Sequence, residues 1–428
     1  MNNTKISSLH AWEALDSRGR PTVACRVTLS GGGAGRAVVP SGASTGGHEA
    51  KERRDGGTRY NGFGVREAVA NLHNVIAPII LGMDAADRAS IDATIEAADS
   101  DPALGTLGAN AALATSLAVT IAYADELRVP LWRSLGKSAS PLIPMPMVNI
   151  ISGGAHAHGA LDIQDVLAIP IGATNFAESI EWVSRVRAAT ALLMEERGIE
   201  TALVADEGGL AGPLKDNEEA LSLVAAGIAA AGLRPGQDIA MAVDFASNQM
   251  WTGDNYRLTL ENRSLSADDW VRQISSWCAK YPIVSLEDVL QEDDWEGWSS
   301  AQKLLGTGRQ LLGDDHFATN MQRLERGISA RSANAVLVKP NQAGTVTRAE
   351  RVVAAAHSAG FSTVVSARSG DTEDHWLADF AVGWNAGQIK VGSTMRSERT
   401  AKWNRLLEIE AEAGSTSRFA GRSTLSGL

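Results

Sequence analysis

Apolar residues recur along this chain in two rhythms, and the change from one to the other marks its organisation. Residues 5 to 40 alternate and turn: KISSLHAWEAL, a turn around Asp16, Ser17, Arg18 and Gly19, then PTVACRVTL, a hairpin over Gly31 to Gly35, and GRAVVP. This is the pattern of a β-meander. Apolar residues at helical spacing follow in VREAVANLHNVIAPIILG and in the alanine-rich GANAALATSLAVTIAYADEL, with Asn61 or Gly64 near the first start and Gly108 near the second. From Pro144 onward the rhythm becomes strand, loop, helix, repeated. MPMVNII and DIQDVLAIPIG are followed by a helix from about Asn175 to Arg197, then TALVADEGG, and so on to QIKVGS. About eight such runs predict an α/β fold built as a β/α barrel of parallel strands, preceded by an α+β capping domain. The cap is expected over residues 1–137 and the barrel over 138–428.

Five apolar runs in the second half stop at a charge: VADEGG at Asp206 and Glu207, AMAVDFA at Asp244, PIVSLEDV at Glu287, LLGDDH at Asp314 and AVLVKPNQ at Lys339. Barrel strands deliver reactive groups from their C-terminal ends onto one face, which favours a barrel over a doubly wound sheet. No GxGxxG follows an early strand, and no GxxxxGK[ST] occurs.

Composition narrows the partners. The 428 residues exceed what one core serves, and with 39 Lys and Arg against 50 Asp and Glu the net charge is −11. That balance speaks against nucleic acid and for a particle able to hold cations. Cys25 and Cys278 stand alone, without CxxC or a Cys/His cluster, and are expected to be buried thiols. The opening MNNTKISSLH has no leader pattern and no apolar stretch is long enough for a membrane helix, so the expected location is cytoplasmic and no membrane partner is expected.

Asp244, Glu287 and Asp314 are the leading metal candidates, because magnesium takes hard oxygen ligands and three carboxylates gathered without a cation would repel. Each could instead cap the helix that follows its strand. Lys339 and Lys390 both close or interrupt apolar runs, where a buried ammonium needs a partner or a lowered pKa. Two such cations would depress one another and yield a usable general base; alternatively both are salt-bridge partners of the carboxylates. Glu207 meets a double glycine, a weak signal that is otherwise a turn. His156 and His158 in SGGAHAHG suit substrate contact or a solvated loop, with Asp165 close by in DIQDV. Arg368 and Ser369 offer donors for phosphate or carboxylate, unless the arginine pairs with an acidic neighbour. In the cap, PSGASTGGHEA could close over a ligand with Ser41 or Ser44 reaching metal or phosphate, or serve as a flexible linker; the KERRDGG that follows reads as a solvated helix end.

The motifs DSRGRPTV, PSGASTG, LGANAALA, DEGG, SLED, GDD, KPNQAGT, RSGDTED and GQIKVGS occur in the order found in the enolase family, and the chain resembles that family nearly end to end. The resemblance implies a modified β/α barrel of the enolase type under an N-terminal α+β domain, two magnesium ions, reversible dehydration of 2-phosphoglycerate to phosphoenolpyruvate, and a homo-oligomer, a dimer or an octamer. It implies Lys339 as the base at C2 and Glu207 as the acid for the C3 hydroxyl, with Asp165 in the acid network. Asp244, Glu287 and Asp314 would hold the first magnesium and Ser41 would join the second, while His156, Arg368, Ser369 and Lys390 would contact substrate.

Two departures stand in the substrate shell. Where the family has SHRSGETED this chain has Ala367 between Ser366 and Arg368, a methyl for an imidazole; where it has QEF this chain has Gln164, Asp165 and Val166, a carboxylate one methylene shorter. The loop after DEGG, Leu210 to Pro213, is altered as well. These changes motivate a second expectation, an enolase paralogue acting on a related phosphorylated or phosphonylated hydroxy acid, such as the carboxyphosphonoenolpyruvate-forming enzymes. A third, of another class, is a non-catalytic binding protein on the same fold.

Overall fold

The computed structural model describes residues 3–43, 46–136 and 140–427. Ser44, and the 137/138 position expected as the domain boundary, lie outside the described residues. Ile6–Leu15, Pro21–Leu29 and Ala34–Val38 form the expected meander as one antiparallel sheet. The alanines of Ala109–Glu126 let this buried helix lie directly on the sheet. A methyl at Gly35 would come within 2.1 Å of the Ala118 carbonyl oxygen, so the approach is backbone to backbone.

The first expected helix forms in three pieces, Arg66–Asn71, a wide π-type turn over Leu72–Ile76, and Ala77–Ile80. Pro78, with no amide hydrogen to give to the preceding turn, accounts for the widening. Its start is held by neither Asn61 nor Gly64 but by Asp55, whose carboxylate accepts from the amides of Arg66 at 3.0 Å and Glu67 at 2.9 Å. KERRDGG is accordingly not a helix end. It is neither helix nor strand, with Arg53 paired to Glu67 and Arg54 to Glu52. A further helix, Arg88–Ala97, is capped by Asp87, which accepts from the Ser90 amide at 3.1 Å.

The barrel closes in the order Ile283–Glu287, Gln310–Gly313, Ala335–Val338, Ser362–Ser366, Gly387–Gly392, Met145–Ser152, Asp165–Ile169 and Ala240–Asp244. One strand departs from the all-parallel expectation: Asp165–Ile169 runs antiparallel to both neighbours. Its first residue therefore stands at the rim where its neighbours end, and Asp165 is in register with Ser152 on one side and Asp244 on the other. VADEGG is a second departure. It is a turn, not a barrel strand, lying between helices Phe176–Glu195 and Asn217–Ala230. Leu203 there is 80% exposed, so the apolar run that suggested a strand is not buried as one.

Inside the barrel Met145, Met147, Leu167, Ile169, Leu312 and Leu337 pack together, and Leu425 from the last described segment joins them. Polar residues in the interior satisfy one another, Gln310 Nε2 donating to Ser285 Oγ at 3.0 Å and Gln388 Nε2 to Gln310 Oε1 at 2.8 Å. Both thiols are buried and free, as expected. No helix among the described residues is long and apolar enough to cross a membrane.

Candidate active site

Charge replaces apolar packing at the rim. Asp244 and Glu287 end adjacent parallel strands and face each other in register. Lys390, from Gly387–Gly392, lies between them, its Nζ 2.8 Å from Asp244 Oδ2 and 2.8 Å from each Glu287 oxygen. Asp314 and Lys339 each stand one residue beyond a strand end and form an ion pair, and Gln342 Nε2 donates to the other Asp314 oxygen at 2.9 Å. The salt-bridge alternative is therefore the arrangement found. Burial opposes both ammonium groups but the carboxylates outweigh it, holding Lys339 above the ordinary lysine value through Asp314, and Lys390 well above it through Asp244 and Glu287. Lys390 pushes Lys339 down, as expected, and the Asp314 carboxylate beside it pushes it up by more.

Sequence reasoning missed two acids here. Asp314 turns toward Asp288 and Asp315, and one oxygen from each lies within 4.8 Å of the others. Asp288 accepts the amides of Asp314 and Asp315, both at 2.9 Å. Burial and crowding with Asp315 push Asp288 well above the carboxylate range, and burial and Asp314 take Asp315 up to about 7. Glu287 is likewise pushed well up, by burial and then by Asp244. The doubled acids in SLED and GDD were the signal available. Such a concentration of hard, mutually repelling oxygens fits a divalent cation.

Ser152, Asp165, His156, Glu207 and Asn149 form a second buried chain. Ser152 Oγ donates to Asp165 Oδ1 at 2.6 Å, His156 Nδ1 lies 2.8 Å from Asp165 Oδ2, His156 Nε2 lies 3.7 Å from Glu207 Oε1, and Asn149 Nδ2 donates to Glu207 Oε2 at 3.0 Å. Burial disfavours the imidazolium, yet Glu207 and Asp165 raise His156 to about 9. The two histidines thus divide between the two readings, His156 buried in the site and His158 exposed in its loop. Glu207 reaches the rim because its turn is held from behind: the Ser393 amide donates to the Glu207 carbonyl at 2.8 Å, and Arg187 Nη2 to that of Gly208 at 3.2 Å. Gly392 permits this contact. A methyl there would sit 2.7 Å from the Glu207 carbonyl oxygen and 2.9 Å from Arg399 Cδ, at a φ of +123°. Gly392→Ala is expected to destabilise the fold by about 1–3 kcal/mol, read from the urea midpoint; an unchanged midpoint would contradict the tight packing.

Arg368 is paired with Glu49 of the cap, Nη1 to Oε2 at 2.9 Å, the acidic-neighbour alternative. Ser369 Oγ accepts from the Ala43 amide at 2.6 Å, and the backbones of Ser41 and Gly370 exchange hydrogen bonds at 2.8 and 2.9 Å. The described ends of the PSGASTGG loop are thus fastened to the barrel. The Ser41 hydroxyl is engaged with Glu52 at 3.1 Å and Arg54 at 3.0 Å. Lys339, Lys390, Arg368, Glu207, His156 and Ala367 line a cavity of about 20 Å³, and Ser369 and Gln164 complete its wall with others. Asp165 does not line it.

The family models "Enolase, N-terminal domain" and "Enolase, C-terminal TIM barrel domain" match residues 6–135 and 140–427. An enolase of Acidothermus cellulolyticus is 48% identical over 416 residues, covering 97% of this chain and 96% of that protein. With the barrel, its sheet-bearing cap and near end-to-end identity all in agreement, this chain belongs to the enolase family, enzymes of the hydro-lyase class.

Proposed function

We propose that this protein is a magnesium-dependent lyase that interconverts 2-phosphoglycerate and phosphoenolpyruvate. The observation that carries the reading is the opposition, around one small cavity, of Lys339 with its carboxylate neighbours to Glu207 with His156. Lys339 removes the C2 proton as general base. Glu207 protonates the departing C3 hydroxyl, which is a poor leaving group as hydroxide. Arg368, Ser369, Lys390 and His156 bind the phosphate and carboxylate and fix the substrate between base and acid. Asp244, Glu287 and Asp314 would hold one magnesium ion and Ser41 would join a second; bound there, the ions supply positive charge for the second negative charge that develops on the carboxylate oxygens. The same family reading carries a homo-oligomer, a dimer or octamer, working in the cytoplasm.

A second reading is favoured by one observation: Ala367 presents a methyl to the cavity while Asp165 is turned to Ser152 and His156. It is dehydration of a related phosphorylated or phosphonylated hydroxy acid, such as a precursor of carboxyphosphonoenolpyruvate. Absorbance at 240 nm with 2-phosphoglycerate and magnesium separates the two. Under the first reading turnover exceeds about one per second, the low end of ordinary catalysis. Turnover below that, with faster reaction of another acid in a panel, selects the second. Calorimetric binding of magnesium and phosphonoacetohydroxamate without turnover of any acid would instead mark a binding protein. In the second case Ala367→His is expected to raise the rate on 2-phosphoglycerate by about tenfold or more, by restoring a donor beside the substrate.

A further inference from the structure

Arg399 is a buried cation with no part in the chemistry above. It sits in the first turn of helix Ser397–Ala413, and its side chain has no solvent exposure. Both facts count against it locally. The N-terminal end of a helix repels positive charge, and burying a guanidinium is strongly unfavourable unless every donor is met. Its two Nη groups are met by backbone from three separate segments, while Nε makes no hydrogen bond. Nη1 donates to the carbonyls of Arg368 at 2.7 Å and Val391 at 3.0 Å, and Nη2 to those of Ser369 at 2.6 Å and Asp206 at 3.5 Å. Nε faces Glu398 Oε1 at 3.4 Å. Each carbonyl belongs to, or adjoins, a residue of the candidate site: Arg368, Ser369, Lys390 and Glu207.

We infer that Arg399 is a positioning residue that sets the mutual placement of Glu207, the Arg368–Ser369 pair and Lys390. The planar fork is what makes this possible, since it spans carbonyls on diverging chains that a single amine cannot reach together. None of its polar partners among the described residues belongs to the strand ending at Lys339. Loss of Arg399 therefore misplaces chiefly the acid and the Arg368–Ser369 pair, while the base and its partner Asp314 stay where they are. The chemical part of this inference rests on the reading given under Proposed function.

The test compares the full-length native protein with Arg399→Lys and Arg399→Ala, each checked by circular dichroism. At saturating 2-phosphoglycerate and magnesium, Arg399→Lys is expected to slow net dehydration about 100-fold, the scale of an ångström-sized misplacement, while exchange of the C2 proton with deuterated water is retained. Guanidinium ion added to Arg399→Ala should recover part of the lost rate. Magnesium affinity by calorimetry should be unchanged. Amide hydrogen exchange should quicken at residues 205–209, 368–370 and 391–393 and not at 335–339. Native-like dehydration by Arg399→Lys overturns the inference, as does a parallel fall in exchange and dehydration. Unfolding of both variants would assign Arg399 to general stability and overturn it too. If the native protein neither exchanges nor dehydrates, the reading of function fails, and the amide-exchange pattern alone decides the placement.

Discussion

Replacing Lys339 by alanine is expected to lower turnover by about 10⁴-fold, the upper range for loss of a general base, and to abolish exchange of the C2 proton in deuterated water. The expectation for metal binding runs the other way. In the structure the Lys339 ammonium rests against Asp314, one of the oxygens proposed to bind magnesium, so ammonium and metal compete for one carboxylate. Removing the ammonium leaves Asp314 with Gln342 and frees an acceptor. Magnesium affinity, measured by calorimetry, should therefore be retained or tightened in Lys339→Ala. Exchange that persists in the variant would remove this lysine from its role. Lost exchange together with lost magnesium binding would show that the lysine mainly organises the carboxylates.

Chelation of divalent cations is expected to abolish turnover altogether, and added magnesium to stabilise the fold. Glu287, Asp288 and Asp315 are all held above their ordinary range by burial together with like-charged neighbours. A cation that binds these oxygens only in the folded protein relieves that repulsion. At one hundred times its dissociation constant it adds about 2.7 kcal/mol to the unfolding free energy. The urea midpoint with and without magnesium reads this directly. A chain whose midpoint and turnover are both indifferent to EDTA and to magnesium has no such site.

The parts of the fold and site visible in the sequence were those whose signal is local. Asp244, Glu287, Asp314 and Lys339 follow buried apolar runs, and the structure sets all four at the barrel rim. The meander and the alanine-rich helix were legible for the same reason. The direction of Asp165–Ile169 was not, because a strand buried on both faces reads alike in either sense. Nor was the turn at VADEGG, where an apolar run before an acid imitates a strand end and only tertiary contacts from Arg187 and Ser393 fix the backbone. Asp55 as the start of a helix was hidden by the ten residues that separate it from Arg66. Arg399 carries no motif of its own; its role depends on carbonyls at Asp206, Arg368, Ser369 and Val391, which no spacing along the chain connects.

The reversed strand has a topological consequence. Ile169 and Ala240 are register partners at the far end of the barrel, so the connection between them must leave and return on the side away from the charges. A connection of that kind crosses the barrel's height an even number of times. Here it does so twice, up through Phe176–Glu195 and down through Asn217–Ala230, and its apex therefore falls at the charged end. Glu207 rides on that apex. Were Asp165–Ile169 parallel to its neighbours, a single crossing would suffice and no apex would arise there, so inverting one strand is what gives the barrel a ninth place from which to aim a side chain at the centre.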